Sequence, residues 1–168
     1  LTPFYEKEKL AITQGFIGVT SENFTTTLGR EGSDFTAAIF AYCLNAEEVV
    51  IWKDVEGVLN ADPKWFDDTV LIPQMNYHDA VELTYFGTSV IHPKTIKPLQ
   101  NKSIPLRVKS FLEPSGDGTV VNAEKSPLPV SSFIFRMNQV LISIMPHDYS
   151  FIIEENLRDI FEQFSRHG

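Results

Sequence analysis

Apolar and polar positions along the chain follow two rhythms in turn. Residues 9–20, KLAITQGFIGVT, read as a strand, with Gly15 and Gly18 free to turn the backbone tightly. From residue 34 to 45 the period becomes helical: Ala37, Ala38, Phe40, Ala41 and Leu44 cover a broad apolar face. Residues 47–55, EEVVIWKDV, are a continuous apolar run of the kind buried on both faces of a parallel sheet. Residues 76–87, NYHDAVELTYFG, predict a helix that starts at Asn76 and is closed by Gly87. A short helix at 92–102, a strand at 104–111, a turn at 113–118 and a closing strand at 119–121 follow. Strands alternating with helices over residues 10–121 imply a layered α/β fold with a mainly parallel sheet.

The texture then changes. NAEKSPLPVSS, residues 122–132, is rich in Pro and Ser and reads as a linker. Residues 133–146 carry a strand pattern, and in the run that follows Ile153, Leu157, Ile160, Phe161 and Phe164 recur at helical spacing. One strand and one helix cannot bury their own apolar faces, so this is the opening of a second domain. The expected division is a lobe at 1–122, a linker at 123–132 and a truncated second domain at 133–168. A chain that starts without Met and stops just after a helix looks cut at both ends, so a fragment is expected.

At 168 residues and 43% apolar content, the chain can bury a core of its own. A net charge of −8 argues against nucleic acid or an anionic membrane as partner. No apolar run reaches the ~18 residues of a membrane span, and no basic-then-apolar signal segment opens the chain. The single cysteine, Cys43, lies in the apolar helical run and reads as a buried, reduced thiol of a cytoplasmic protein.

Candidate chemistry gathers at TTTLGREGSD, residues 25–34. A helix start offers unpaired N–H groups and partial positive charge, and Arg30 adds a fork that suits a carboxylate or phosphate. Ordinary capping by Ser33, with Asp34 favouring the helix dipole, accounts for two of these residues but not for Arg30 or Gly32. Lys53 and Asp54 end the apolar strand, where ligands of open parallel sheets sit; a strand-end ion pair is the plainer alternative. His92-Pro93 restarts the chain after Gly87, and His92 suits a packed or backbone-bonded role rather than that of a ligand. The four His, at 78, 92, 147 and 167, have no metal-ligand spacing, so no structural metal is expected. No hydrolase triad motif or Gly-x-x-x-x-Gly-Lys phosphate loop occurs.

Taken together, TQGFIG, TTTLGREGSD, WKDVEGVLNADPK, ELTYFGTSVIHPKT and IPLRVKSF with the GT at 118–119 resemble the aspartokinases of the amino-acid kinase superfamily, in that family's order and spacing. The resemblance covers residues 12–121, and residues beyond 131 resemble the start of an ACT regulatory domain. It implies a three-layer αβα sandwich with a mainly parallel sheet, and transfer of phosphate from ATP, with Mg, to the side-chain carboxylate of L-aspartate. That reaction opens the route to lysine, threonine and methionine. By the same resemblance Asp34 is the active-site acid, while Arg30, Glu31, Gly32 and Ser33 form the substrate segment. Lys53, Asp54, Leu59, Lys64 and Ser89 fall on nucleotide positions. Met145, Asp148 and Phe151 fall on the loop that would meet an amino-acid effector, lysine or threonine, in a homo-oligomer.

The chain departs from the family pattern in places. Glu31 stands where Gly is common, Lys53 where many members have Thr, Leu59 where some have Tyr, and Ser89 where many have a phosphate-binding Lys. The family's Lys-Phe-Gly-Gly segment is not in this sequence, so activity is expected of a longer parent and not of the fragment. Another amino-acid kinase, or a non-catalytic effector-binding module, remains as an alternative.

Overall fold

The computed structural model describes residues 10–86, 90–125, 131–135, 137–147 and 151–167. It divides into two compact units, Leu1–Arg136 and Met137–Gly168. In the first, strands β1 (Ile17–Val19) and β2 (Thr25–Thr27) form an antiparallel hairpin that leads into helix α1 (Gly32–Leu44). Then come β3 (Val49–Lys53), β4 (Gln74–Asn76), α2 (Tyr77–Phe86), α3 (Pro93–Asn101), β5 (Leu106–Ser110) and β6 (Thr119–Asn122). Only the last part of the expected first strand pairs, and the Thr run, not foreseen as a strand, is its partner.

The four-stranded sheet runs β3-β5-β6-β4. β3 lies parallel to β5 and β4 parallel to β6, while β5 and β6 are antiparallel and mate Leu106 with Val121 and Val108 with Thr119. The sheet is therefore mixed, within the α/β class expected. Its registers stack Val49, Ile51, Leu106, Val108, Thr119, Val121 and Met75 on one buried face. α3 supplies the centre of the helical layer, with Ile96 and Leu99 fully buried, and α1 and α2 add Ala38, Ala41, Ala80 and Leu83 to the same core. The other face is half-open. Trp52 is 48% exposed, so β3 is not buried on both sides as its unbroken apolar run suggests.

Caps explain several element ends. Asn76 accepts a bond from the Asp79 amide at 2.9 Å and so starts α2, as expected. His92 is the cap of α3: its Nδ1 accepts from the Lys94 amide at 3.1 Å, and Pro93 fills the first helical position. α1 ends at Asn45 in a left-handed conformation, where Lys102 donates to both the Tyr42 carbonyl and the Asn45 side chain. Tyr77 donates to the Ile104 carbonyl at 2.8 Å, and burial pushes its hydroxyl pKa up, so it stays a donor at ordinary pH.

Two further expectations fail. Cys43 is exposed, because the buried side of α1 is carried by Ala38 and Ala41 and the cysteine falls on the other. The strand pattern of 133–146 forms no ladder among the described residues, since a strand needs a neighbour to take its backbone bonds and none is offered. The second unit holds helix α4 (Glu154–His167), which has no buried residue despite its apolar stripe. No helix among the described residues is long and apolar enough to cross a membrane.

These burials predict unequal costs of truncation. Ile96→Ala should destabilise the first unit by about 2–5 kcal/mol, whereas Phe161→Ala, at a side chain 66% exposed, should change stability by less than about 0.5 kcal/mol. Chemical denaturation of the two variants checks this, and equal losses would contradict the packing described.

Candidate functional site

The site begins where β3 ends. Lys53 is the last residue of that strand, and its Nζ lies 2.7 Å from Oδ2 of Asp34, in the first turn of α1. Their side chains are 22% and 13% exposed, so solvent screens the pair weakly. The plainer expectation, an ion pair between Lys53 and its neighbour Asp54, is replaced by a contact across the fold; Asp54 is exposed. The acid at the helix start is thus balanced by a lysine reached only through tertiary structure.

The turn that launches α1 is built by backbone contacts. The Gly32 amide donates to the Gly29 carbonyl at 3.0 Å, and Leu28 donates to Phe16 at 2.8 Å. Thr36 links the two pieces, accepting from the Phe16 amide at 3.0 Å and donating to the Gly32 carbonyl at 2.9 Å. A β-carbon at Gly32 would lie 2.9 Å from both the Leu28 Cβ and the Phe16 ring, so this position is closed to larger residues. Ser33 does not cap the helix. The cap position is Glu31, at φ 55° and ψ 32°, with no side-chain capping bond. A left-handed backbone favours Gly, which gives a physical reason for the glycine that resembling sequences carry there. Glu31 also keeps one carboxylate oxygen, Oε2, out of solvent with no hydrogen-bond partner.

Arg30 and Ser33 are exposed on either side of this turn, beside the N–H groups that a helix start leaves unpaired. Leu59 is half-buried and bridges Leu71, while Lys64 is exposed, its amide bonded to Asp62 Oδ1 at 2.9 Å. Met145 and Phe151 are exposed in the second unit. Ser89 and Asp148 lie outside the described residues. Among those described, no group of three or more His, Cys, Asp or Glu side chains is placed to hold a metal ion.

Sequence reasoning missed two supports of the 58–72 loop. Thr119 bonds both of its ends, and residues 131–135 lie against its rim, where Phe133 donates to the Asn60 carbonyl at 2.7 Å. Trp65 meets the Phe135 ring at 5.4 Å, and Phe66 meets Phe133 at 6.0 Å. The aromatic run FIFR beside WF was the available signal. An open cavity of about 730 Å³, lined by residues such as Asn76, His78, Asp79 and Lys125, lies at the opposite edge of the sheet, where β4 and β6 end.

Two predictions concern the site's architecture. Removing one partner leaves the other charge half-buried, so Lys53→Met should cost about 1–3 kcal/mol, part of which returns in the double variant with Asp34→Asn. A double-mutant cycle by denaturation reads the coupling, and strict additivity would mean the contact contributes nothing. At the strained cap, Glu31→Gly should raise stability by about 0.5–1 kcal/mol. A fall in melting temperature would instead show the carboxylate to be stabilising.

The profile of the Amino acid kinase family matches residues 1–110. Lysine-sensitive aspartokinase 3 of Escherichia coli K12 is 38% identical over 166 residues, 96% of this chain and 36% of the relative. A chloroplastic bifunctional aspartokinase/homoserine dehydrogenase 2 of Arabidopsis thaliana is 38% identical over 143 residues, 81% of this chain and 16% of that protein. The crystal structure of E. coli aspartokinase III with aspartate and ADP superposes with a TM-score of 0.70 at 40% identity, covering 74% of this chain and 28% of the other. The chain therefore spans about a third or less of the length of these relatives.

Proposed function

The chain belongs to the amino acid kinase family, and on that footing we propose that it forms the aspartate- and nucleotide-binding part of an aspartate kinase. The observation that carries this reading is the 2.7 Å contact between Asp34 and Lys53, which joins the start of α1 to the end of β3. It supports a site in which an acid and a cation are fixed together where two anionic substrates meet. The likeness to a structure holding aspartate and ADP supports the same assignment.

In this reading MgATP is the phosphoryl donor and L-aspartate the acceptor. An oxygen of the aspartate side-chain carboxylate bonds to the γ-phosphorus, the bond from that phosphorus to the bridging oxygen breaks, and ADP leaves. Little covalent work falls to the protein. Positioning and charge dominate. Arg30 holds a carboxylate of aspartate bidentately, assisted by the exposed backbone of Gly32 and Ser33 at the helix start. Asp34 keeps the Lys53 ammonium in place and faces the reacting groups, and Glu31 adds a negative charge beside them. Lys53 and Asp54 border the nucleotide's base and ribose, Leu59 lies along it, and Lys64 approaches the phosphates; Ser89 belongs to the same set. Mg²⁺ brought in with a nucleotide needs one or two carboxylates beside the phosphates, and Asp34 would be the carboxylate nearest to them.

The second unit is assigned as the beginning of an ACT effector domain, with Met145, Asp148 and Phe151 on the effector loop. The E. coli relative is lysine-sensitive by name, and lysine or threonine is the effector proposed for this chain. The parent is read as a cytoplasmic homo-oligomer.

The test is made on the longer polypeptide that carries this chain. With L-aspartate and MgATP it should release ADP and form aspartyl phosphate, trapped as the hydroxamate, and glutamate or UMP should not replace aspartate. Asp34→Ala should abolish turnover in a folded protein. Arg30→Lys should raise the aspartate KM about 10-fold and leave that for ATP nearly unchanged, because an ammonium cannot copy the bidentate fork. Full turnover by the Asp34→Ala variant would overturn the proposed role of the acid.

A further inference from the structure

One hydroxyl holds both ends of the loop that carries Leu59 and Lys64. Thr119 Oγ1 accepts from the Val58 amide at 2.8 Å and donates to the Ile72 carbonyl at 2.7 Å. The Ile72 amide then closes on the Val58 carbonyl at 2.9 Å, so these buried groups satisfy one another in a ring. Val58, Ile72 and Thr119 are all fully buried. Further out, Leu59 bridges Leu71, and Asn60 clips Val70 through both its backbone and its side chain. The chain enters the loop through Gly57, where a β-carbon would lie 2.5 Å from Thr119 Oγ1. A larger residue there would push the chain off the hydroxyl.

We propose that Thr119 is a positioning residue for the nucleotide: its hydroxyl sets the mouth of the 58–72 loop and thereby the placement of Leu59 and Lys64. The inference rests on the nucleotide role given above to those two residues. Thr119 begins β6, and its register opposite Val108 puts it toward the end of the sheet where β3 delivers Lys53. A loop of this length without a helix or long strand of its own loses much freedom when it binds, unless its ends are already held. Thr119 holds them before the ligand arrives, so the ordering cost on binding is small. Valine has nearly the shape of threonine but lacks the hydroxyl. At position 119 it would leave the Val58 amide and the Ile72 carbonyl each without this partner in a buried place, and the mouth would open to reach water. The substrate segment at 30–34 belongs to the start of α1, a different element, and has no reason to follow.

The experiment compares the wild type, Thr119→Val and Thr119→Ser in the longer polypeptide, reading ADP affinity by calorimetry and the separate KM values for ATP and L-aspartate. We expect Thr119→Val to weaken ADP binding and raise the ATP KM about 10-fold, with the aspartate KM changed less than about 2-fold. Thr119→Ser, which keeps the hydroxyl, should stay near wild type. If the valine variant does not fold, Thr119→Cys takes its place: a weak hydrogen-bonding thiol should give an intermediate loss of ADP affinity together with faster hydrogen exchange at the Val58 amide. Equal losses for both substrates, or a serine variant as poor as valine, would show a merely structural role and overturn the inference. Wild type that binds ADP, with a folded valine or cysteine variant binding equally well, overturns this inference alone. Wild type that ignores ADP overturns the nucleotide reading and this inference with it.

Discussion

The ion pair between Lys53 and Asp34 is the contact on which the site's architecture depends. It spans 19 residues of sequence and joins a strand end to a helix start across a poorly solvated gap. A strand end and a helix N-terminus both gather polar groups for independent reasons, the first because the sheet stops there, the second because its amides lack partners. Bringing them together fixes charges of both signs at one place, where the aspartate and nucleotide sites are proposed. Neither charge could be left there alone without cost, since a half-buried carboxylate or ammonium needs an opposite partner. Removing either partner therefore costs stability at the very place where the site is proposed.

Backbone crowding sets the rest of the helix start. Gly32 is squeezed between Leu28 and Phe16, and Glu31 accepts a left-handed conformation that a glycine would adopt without strain. Thr36 ties the loop of Phe16 to the first turn. The turn at 28–36 is thus held by main-chain and packing contacts, and the side chains of Arg30 and Ser33 are exposed beside it.

The two units differ in how far they satisfy themselves. The first closes a core around α3 and clamps its long loop from the inside by Thr119 and at the rim by residues 131–135. The second presents Leu157, Phe161 and Phe164 to solvent on a helix with acidic residues in its first turn and basic ones in its last. Its end charges complement the helix dipole, a local contribution that needs no distant partner. A strand has no such local route, and the apolar run before α4 remains unpaired among the described residues.

The order and kind of most of the first unit's elements were legible in the sequence, because helical spacing, Asn76 as a cap, Pro93 after His92 and the apolar run at β3 each act over a few residues; the short strands β2 and β4, three residues each, were not. The family motifs were legible too, and with them Asp34, Arg30 and Lys53 as residues to watch. Local signals reached their limit where partners are distant. Nothing in the neighbourhood of Lys53 favours Asp34 over Asp54, and only the packing of α1 against β3 decides between them. Ser33 looked like the cap because its residue type is right, yet the backbone turned two residues earlier, at Glu31. Cys43 and Trp52 were misjudged because periodicity says that a face is apolar, not whether anything covers it. Thr119 was legible only as part of the GT motif and the start of a closing strand; its supporting role was not, since local sequence does not reveal a hydroxyl that bonds two backbone groups 61 and 47 residues away. Sequence determined what each segment would become, through forces that act within a turn or two of chain; tertiary structure alone decided which charges meet and which faces are covered, because those energies exist only once distant segments are in contact.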